Sequence, residues 1–299
     1  MRLTACLASL CGGFLLSQLA CAAEPLPQRW VSAGGSLSEW IVELGGEAKL
    51  VGVDTTSQHP ARLKALPSLG YQRQLAAEGI LSLKPDLLLG SEEVGPPPVL
   101  EQVKRAGVRI EALSTQADLP TLEHSLTRIG ALLGAQQRAA QVLAAYRQRL
   151  QTQARWVAAA QRSQPAPRVL LLLGHAGSSP LAAGRDTAAA WLIEQAGGRN
   201  VTTHAGYKAL STEALLALDP EVLIFADRGL AGAAAKQALL KHNPALAATR
   251  AARAGRLLEL DPTLLVGGLG PRIPAGLAVL SAAFYPAAQA LTAEAKPQP

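Results

Sequence analysis

The chain has 299 residues, 49% of them hydrophobic and 17% charged, with a formal net charge of +6. A chain of that length and apolar content can bury a core large enough for two lobes, which excludes gross disorder and a collagen-like fibre. The positive charge is scattered without a Lys/Arg block, so it reads as a solvated basic surface and not as a nucleic-acid interface.

In chain order, residues 1–23 read as a cleaved signal peptide. A basic start at Arg2 is followed by an apolar run from Leu3 to Leu19 and then by small residues around Cys21-Ala22-Ala23, suited to cleavage after Ala22 or Ala23. The segment Leu19-Ala20-Cys21 also has the outline of a lipoprotein box, but Gln18 stands where such a box takes an aliphatic residue. Export through this leader predicts a soluble periplasmic protein. All three cysteines (Cys6, Cys11, Cys21) and the single methionine, Met1, lie in the leader. Cleavage removes Arg2 and no acid, so the net charge falls by one to +5, and no sulfur is left to build a disulfide, a thiolate metal site or a thioether ligand.

Residues 24–118 alternate short apolar β-type runs (Trp30-Val31-Ser32, 50–53, 87–89 and 108–110) with helical patterns over 36–44 and 74–82. From 119 to 162 the spacing of Leu122, Leu126, Ile129, Leu133, Leu143 and Leu150 predicts one long connecting helix, stopped by Pro165 and Pro167. Residues 163–299 resume the alternation: a strand at 168–173, a helix at 187–195, strands at 222–225 and 257–260, and a last helix over 269–291. The expected fold class is α/β, two lobes joined by a single long backbone helix.

The lobes also share a repeat. Glu78-Gly79-Ile80-Leu81-Ser82-Leu83-Lys84-Pro85-Asp86 matches Glu213-Ala214-Leu215-Leu216-Ala217-Leu218-Asp219-Pro220-Glu221, a helix ending before a proline that leads into a buried strand. Upstream, Gly70-Tyr71 has a counterpart in Gly206-Tyr207, one residue out of step.

This layout closely resembles the class III periplasmic binding proteins that serve ABC importers of vitamin B12, siderophores and haem, over nearly all the mature chain. The segments Leu69-Gly70-Tyr71-Gln72-Arg73-Gln74-Leu75, Gly174-His175-Ala176-Gly177, Ala183-Gly184-Arg185 and Gly206-Tyr207-Lys208 are similar to the haem-importer branch. The resemblance implies that ferric haem b is carried as a transported ligand in the interlobe cleft, with Tyr71 as axial ligand to the iron. It also implies that Glu78 and Glu213 dock onto arginines of a dimeric inner-membrane permease, which works with its ATPase. A monomer is expected, and no enzyme activity.

The residues fit that chemistry. With sulfur gone, the side chains able to ligate haem iron are the five histidines and four tyrosines. Tyr146 and Tyr285 sit among apolar helix residues and read as packing, whereas Tyr71 lies in a loop with Arg73 two positions on. A phenol ionises near about pH 10 in water, so ferric iron as Lewis acid, helped by a nearby guanidinium, would hold Tyr71 as phenolate. Arg228, after the 222–225 strand, is the first choice for a propionate or axial-side contact, with Lys208 and Arg272 as weaker candidates. His175 and Tyr207 stay open between the cleft wall, a second iron contact and plain packing. A siderophore or cobalamin carrier of the same fold is the alternative. A zinc or manganese carrier would need converging His and carboxylate ligands, and the histidines are widely spread. Hydrolase, P-loop and zinc-protease motifs are absent from the sequence.

Overall fold

The computed structural model describes residues 25–174, 180–227 and 232–288. The 1–23 leader therefore lies outside the described residues.

In the first lobe, β1 (Trp30–Ala33), β2 (Leu50–Val53), β3 (Leu87–Ser91) and β4 (Arg109–Leu113) form an all-parallel sheet in the order β2-β1-β3-β4. Helix α1 (Gly35–Glu43) covers one face, and α2 (Ala77–Ser82) and α3 (Pro97–Arg105) cover the other. Covering both faces requires strands that are apolar throughout. Trp30, Leu87 and Leu89 enter the core on the α1 side, while Val31, Ala33 and Leu88 enter the core on the α2 and α3 side.

The stretch 119–162, expected as one helix, is two: α4 (Leu119–Leu133) and α5 (Gln136–Ala160). Gly134 takes φ 72° and caps α4, with its N–H bonded back to the Gly130 and Ala131 carbonyls. The chain then reverses, and Glu123 on α4 meets Arg147 on α5 at 2.5 Å. Hydrophobic periodicity runs through this turn because both helices keep an apolar face toward the same core, so the sequence pattern does not register the break. The chain passes from one lobe to the other along α5, about 37 Å long at 1.5 Å per residue. Its first half packs on lobe one through Tyr146 against Trp40. Its second half packs on lobe two, where Gln153 donates to the Leu277 carbonyl and to Ser281.

The second lobe contains β5 (Arg168–Gly174), β6 (Leu181–Ala183), α6 (Ala188–Gln195), β7 (Arg199–Asn200), β8 (Tyr207–Ala209), α7 (Thr212–Leu218), β9 (Val222–Asp227), α8 (Gly232–His242), α9 (Arg250–Arg253), β10 (Leu257–Glu259) and α10 (Ile273–Phe284). Its parallel strands run β7-β5-β9-β10, the same order as lobe one, and an antiparallel arm of β6 and β8 is added beside β5. The last helix, expected over 269–291, starts only at Ile273, because 267–272 turns across the lobe boundary, and it is capped at Tyr285. Positions 289–291 lie outside the described residues.

The sequence repeat is reproduced in the fold at the level of single bonds. Lys84 and Asp219, each directly before the proline, have φ of 47° and 33°. Asp86 accepts from the Arg29 backbone N–H and Glu221 from that of Arg168. The guanidinium of Arg29 donates to the Leu83 carbonyl, and that of Arg168 to the matching Leu218 carbonyl. Each lobe thus closes the end of its helix with the arginine that opens its first strand.

Residues 261–272, though late in the chain, lie against α1 of lobe one. Trp40 Nε1 donates to the Leu269 carbonyl at 2.8 Å, and Ser36 donates to the Gly267 carbonyl. One core cluster accordingly runs from Trp30 through α5 to Tyr285.

Candidate functional site

Tyr71 stands at the carboxyl end of the lobe-one sheet, the edge at which open α/β sheets take ligands. Its loop is clamped from two sides by backbone hydrogen bonds. On the β2 side, Leu69 N–H donates to the Val53 carbonyl and Thr55 N–H to the Gly70 carbonyl. On the β3 side, Gly95 N–H donates to the Gln72 carbonyl and Leu75 N–H to the Gly95 carbonyl, while Gln74 N–H closes a turn onto the Tyr71 carbonyl at 2.7 Å. Gly70, at φ 83°, supplies the left-handed residue that lets the chain turn immediately before Tyr71.

Buried polar groups brace this loop from below. Asp54, 2% exposed, accepts from Gly34 N–H and from Thr56 and Ser57, and so fixes the turn after β2. Gln72, 1% exposed, accepts from Ser91 at the end of β3. Neither residue stands out in the sequence analysis. A short run of Asp, Thr and Ser directly after an apolar strand was the available signal, since such side chains build turns. With its neighbours anchored, the backbone of half-buried Tyr71 is held in place.

Arg73 lies near the Tyr71 phenol, but its main partner is Glu93, at 2.5 Å. The Glu93 hydrogen bond is the chief cause that raises the Arg73 pKa, opposed by burial, with smaller electrostatic contributions from Glu93 and from Tyr71. Arg73 thus stands beside Tyr71, as the sequence suggests, and is shared with Glu93. Glu93 is twenty positions away and comes to this spot only because β3 ends there.

On the lobe-two side, β5 and β9 end together at Gly174 and Asp227. His175 and Arg228, the residues that follow, lie outside the described residues. Tyr207 sits on β8 opposite Ala183, half-buried against the main core, and Lys208 next to it is exposed. Tyr207 and Tyr71 therefore occupy different local structures, a strand and a loop, despite their matching place in the repeat.

Arg272 is not available as a cleft cation. Its guanidinium forks onto Glu39, with contacts of 2.7 and 3.0 Å, and reaches Asp261 at 2.8 Å; His59 Nε2 meets the same Asp261 at 2.9 Å. These residues join α1 of lobe one to the 261–272 segment, so Arg272 ties the lobes together. Tyr146 and Tyr285 are buried, as packing residues are, and burial pushes both phenols up. Glu78 and Glu213 occupy equivalent exposed positions in the first turns of α2 and α7.

The family model described as periplasmic binding protein matches residues 31–264. Among solved structures, the chain is similar to a periplasmic heme binding protein from Pseudomonas aeruginosa, at 66% identity over 89% of this chain and 96% of that one, with a TM-score of 0.88. It is also similar to the periplasmic heme-binding protein BhuT, solved in complex with two hemes, at 39% identity over 87% and 98% of the chains and a TM-score of 0.78. A more distant relative, a cobalamin-binding protein of Halobacterium salinarum, is 27% identical over 87% of this chain and 70% of its own length.

Proposed function

Because the chain belongs to the periplasmic binding protein family, we propose that it captures ferric haem in the cleft between its lobes and delivers it to an inner-membrane ABC permease. In this reading the Tyr71 phenolate is the axial ligand. The observation that carries the reading is the clamped loop that holds Tyr71 at the carboxyl end of the lobe-one sheet. Identity of 66% to a protein named for heme binding supports haem over the other cargoes of this fold.

Tyr71 offers a hard, anionic oxygen donor once ionised. Such a donor prefers ferric to ferrous iron, which suits holding haem for delivery and not for oxygen or electron chemistry. The Arg73–Glu93 pair keeps a cation close to the phenolate. Lys208 and Arg228 would face the propionates, and His175 or Tyr207 would supply any contact to a second haem. Glu78 and Glu213, placed alike on the two lobes, suit docking to a dimeric permease with its ATPase. The 1–23 leader would be removed on export to the periplasm, where the protein works as a monomer.

The test is a hemin titration of the wild type, Tyr71→Phe and Tyr71→Ala, followed by absorption. The wild type should give a ferric Soret band at about 400 nm and a charge-transfer feature at about 600 nm, and both variants should lose the latter and bind more weakly. An unchanged spectrum in Tyr71→Phe would overturn the ligand assignment. Binding of cobalamin with no Soret band would overturn the cargo.

A further inference from the structure

Away from the cleft, a cavity of about 450 Å³ opens between α1, α5 and Pro271. That volume falls within the usual range for small-molecule sites. Its accessible apolar wall is Val142, Ala145 and Pro271, with the buried Trp40–Tyr146 ring pair, centroids 5.7 Å apart, packed behind it. Trp40 is 1% exposed and gives its indole N–H to the Leu269 carbonyl, so the apolar surface open to the cavity is aliphatic. Tyr146 is 3% exposed, and its hydroxyl has no hydrogen-bond partner among the described residues.

The charge around the cavity is one-sided. Helix α5 carries no Asp or Glu. The single acid in the wall, Glu43, is taken by Arg138 at 3.4 Å. Arg149 is left at the exposed rim with no carboxylate partner among the described residues. An apolar wall under an uncompensated guanidinium disfavours cations and suits an anionic head with an apolar tail. We propose that this cavity is a second binding site, separate from the interlobe cleft, for a small amphipathic carboxylate. The head pairs with Arg149 and the tail lies against Val142, Ala145 and Pro271.

Calorimetric titration of the hemin-loaded mature protein with sodium decanoate tests it, with decylammonium as the charge-reversed probe. Decanoate should bind apo and loaded protein alike and outcompete decylammonium. Arg149→Gln should weaken it about tenfold. Ala145→Phe, on the same wall, should abolish it by filling the space, and Tyr71→Ala should leave it unchanged. The proposal is overturned by no binding at about 1 mM, by equal binding in Arg149→Gln and Ala145→Phe, by equal binding of decylammonium, or by loss on hemin loading or in Tyr71→Ala.

Discussion

Tyr71 and Tyr146 carry the same phenol, and their surroundings give it different chemistry. Tyr71 is half-buried on a braced loop at the carboxyl end of the lobe-one sheet, whereas Tyr146 is packed under Trp40 with its hydroxyl unpaired among the described residues. Removing an unsatisfied buried hydroxyl without changing shape relieves a desolvation cost. Tyr146→Phe should therefore raise stability by about 1 kcal/mol, read as a higher urea midpoint with an unchanged m-value. Asp261 gives a residue-scale pH dependence. Burial pushes its pKa up, but the Thr263 hydrogen bonds and Arg272 more than offset this and hold it below the ordinary Asp value. A depressed folded pKa contributes stability that is complete above the unfolded value and is lost as pH falls through the folded one. Urea titrations from neutral pH down through the carboxylate range should thus show the wild type losing more stability than Asp261→Asn.

At the scale of elements, the reversal between α4 and α5 depends on Gly134. An L side chain at φ 72° is strained, and a Cβ there would also meet the Leu26 side chain at 2.9 Å. Gly134→Ala should cost about 1–2 kcal/mol in chemical unfolding, and the equivalent change at exposed Gly79 inside α2 should be neutral or stabilising. The duplicated helix-proline-strand unit was legible in the sequence because each part follows a local rule. The residue before proline avoids the right-handed helix, and a doubly covered strand must be a continuous apolar run. The β6 and β8 arm was not legible, since its strands have three residues each and Lys208 and Ala209 are exposed. Strands so short carry no period to read.

For the whole molecule, the decisive feature is the seam formed by Glu39, Arg272, Asp261 and His59 together with the core that continues through both lobes. Glu39 is only 5% exposed, so removing its cation leaves a buried charge. Arg272→Met should destabilise the protein by about 3 kcal/mol. The seam also predicts little closure on binding: small-angle scattering with and without hemin should agree to within about 1 Å on a radius of gyration of roughly 19 Å. In Arg272→Met the two profiles should diverge; a large compaction of the wild type would show that the seam does not hold the lobe angle.

The sequence by itself determined two α/β lobes, their duplicated units, the main strands and a chemically distinctive tyrosine in a loop. Each of these rests on neighbours within a few residues, through apolar runs, proline and glycine stops, and helical spacing. Only the tertiary structure decided that the long helical stretch folds back on itself, that Arg73 answers to Glu93, and that Arg272 belongs to the seam and not to the cleft. The Arg272–Glu39 pair spans 233 positions, and the partner of a charge at that separation is set by which surfaces the two cores bring together.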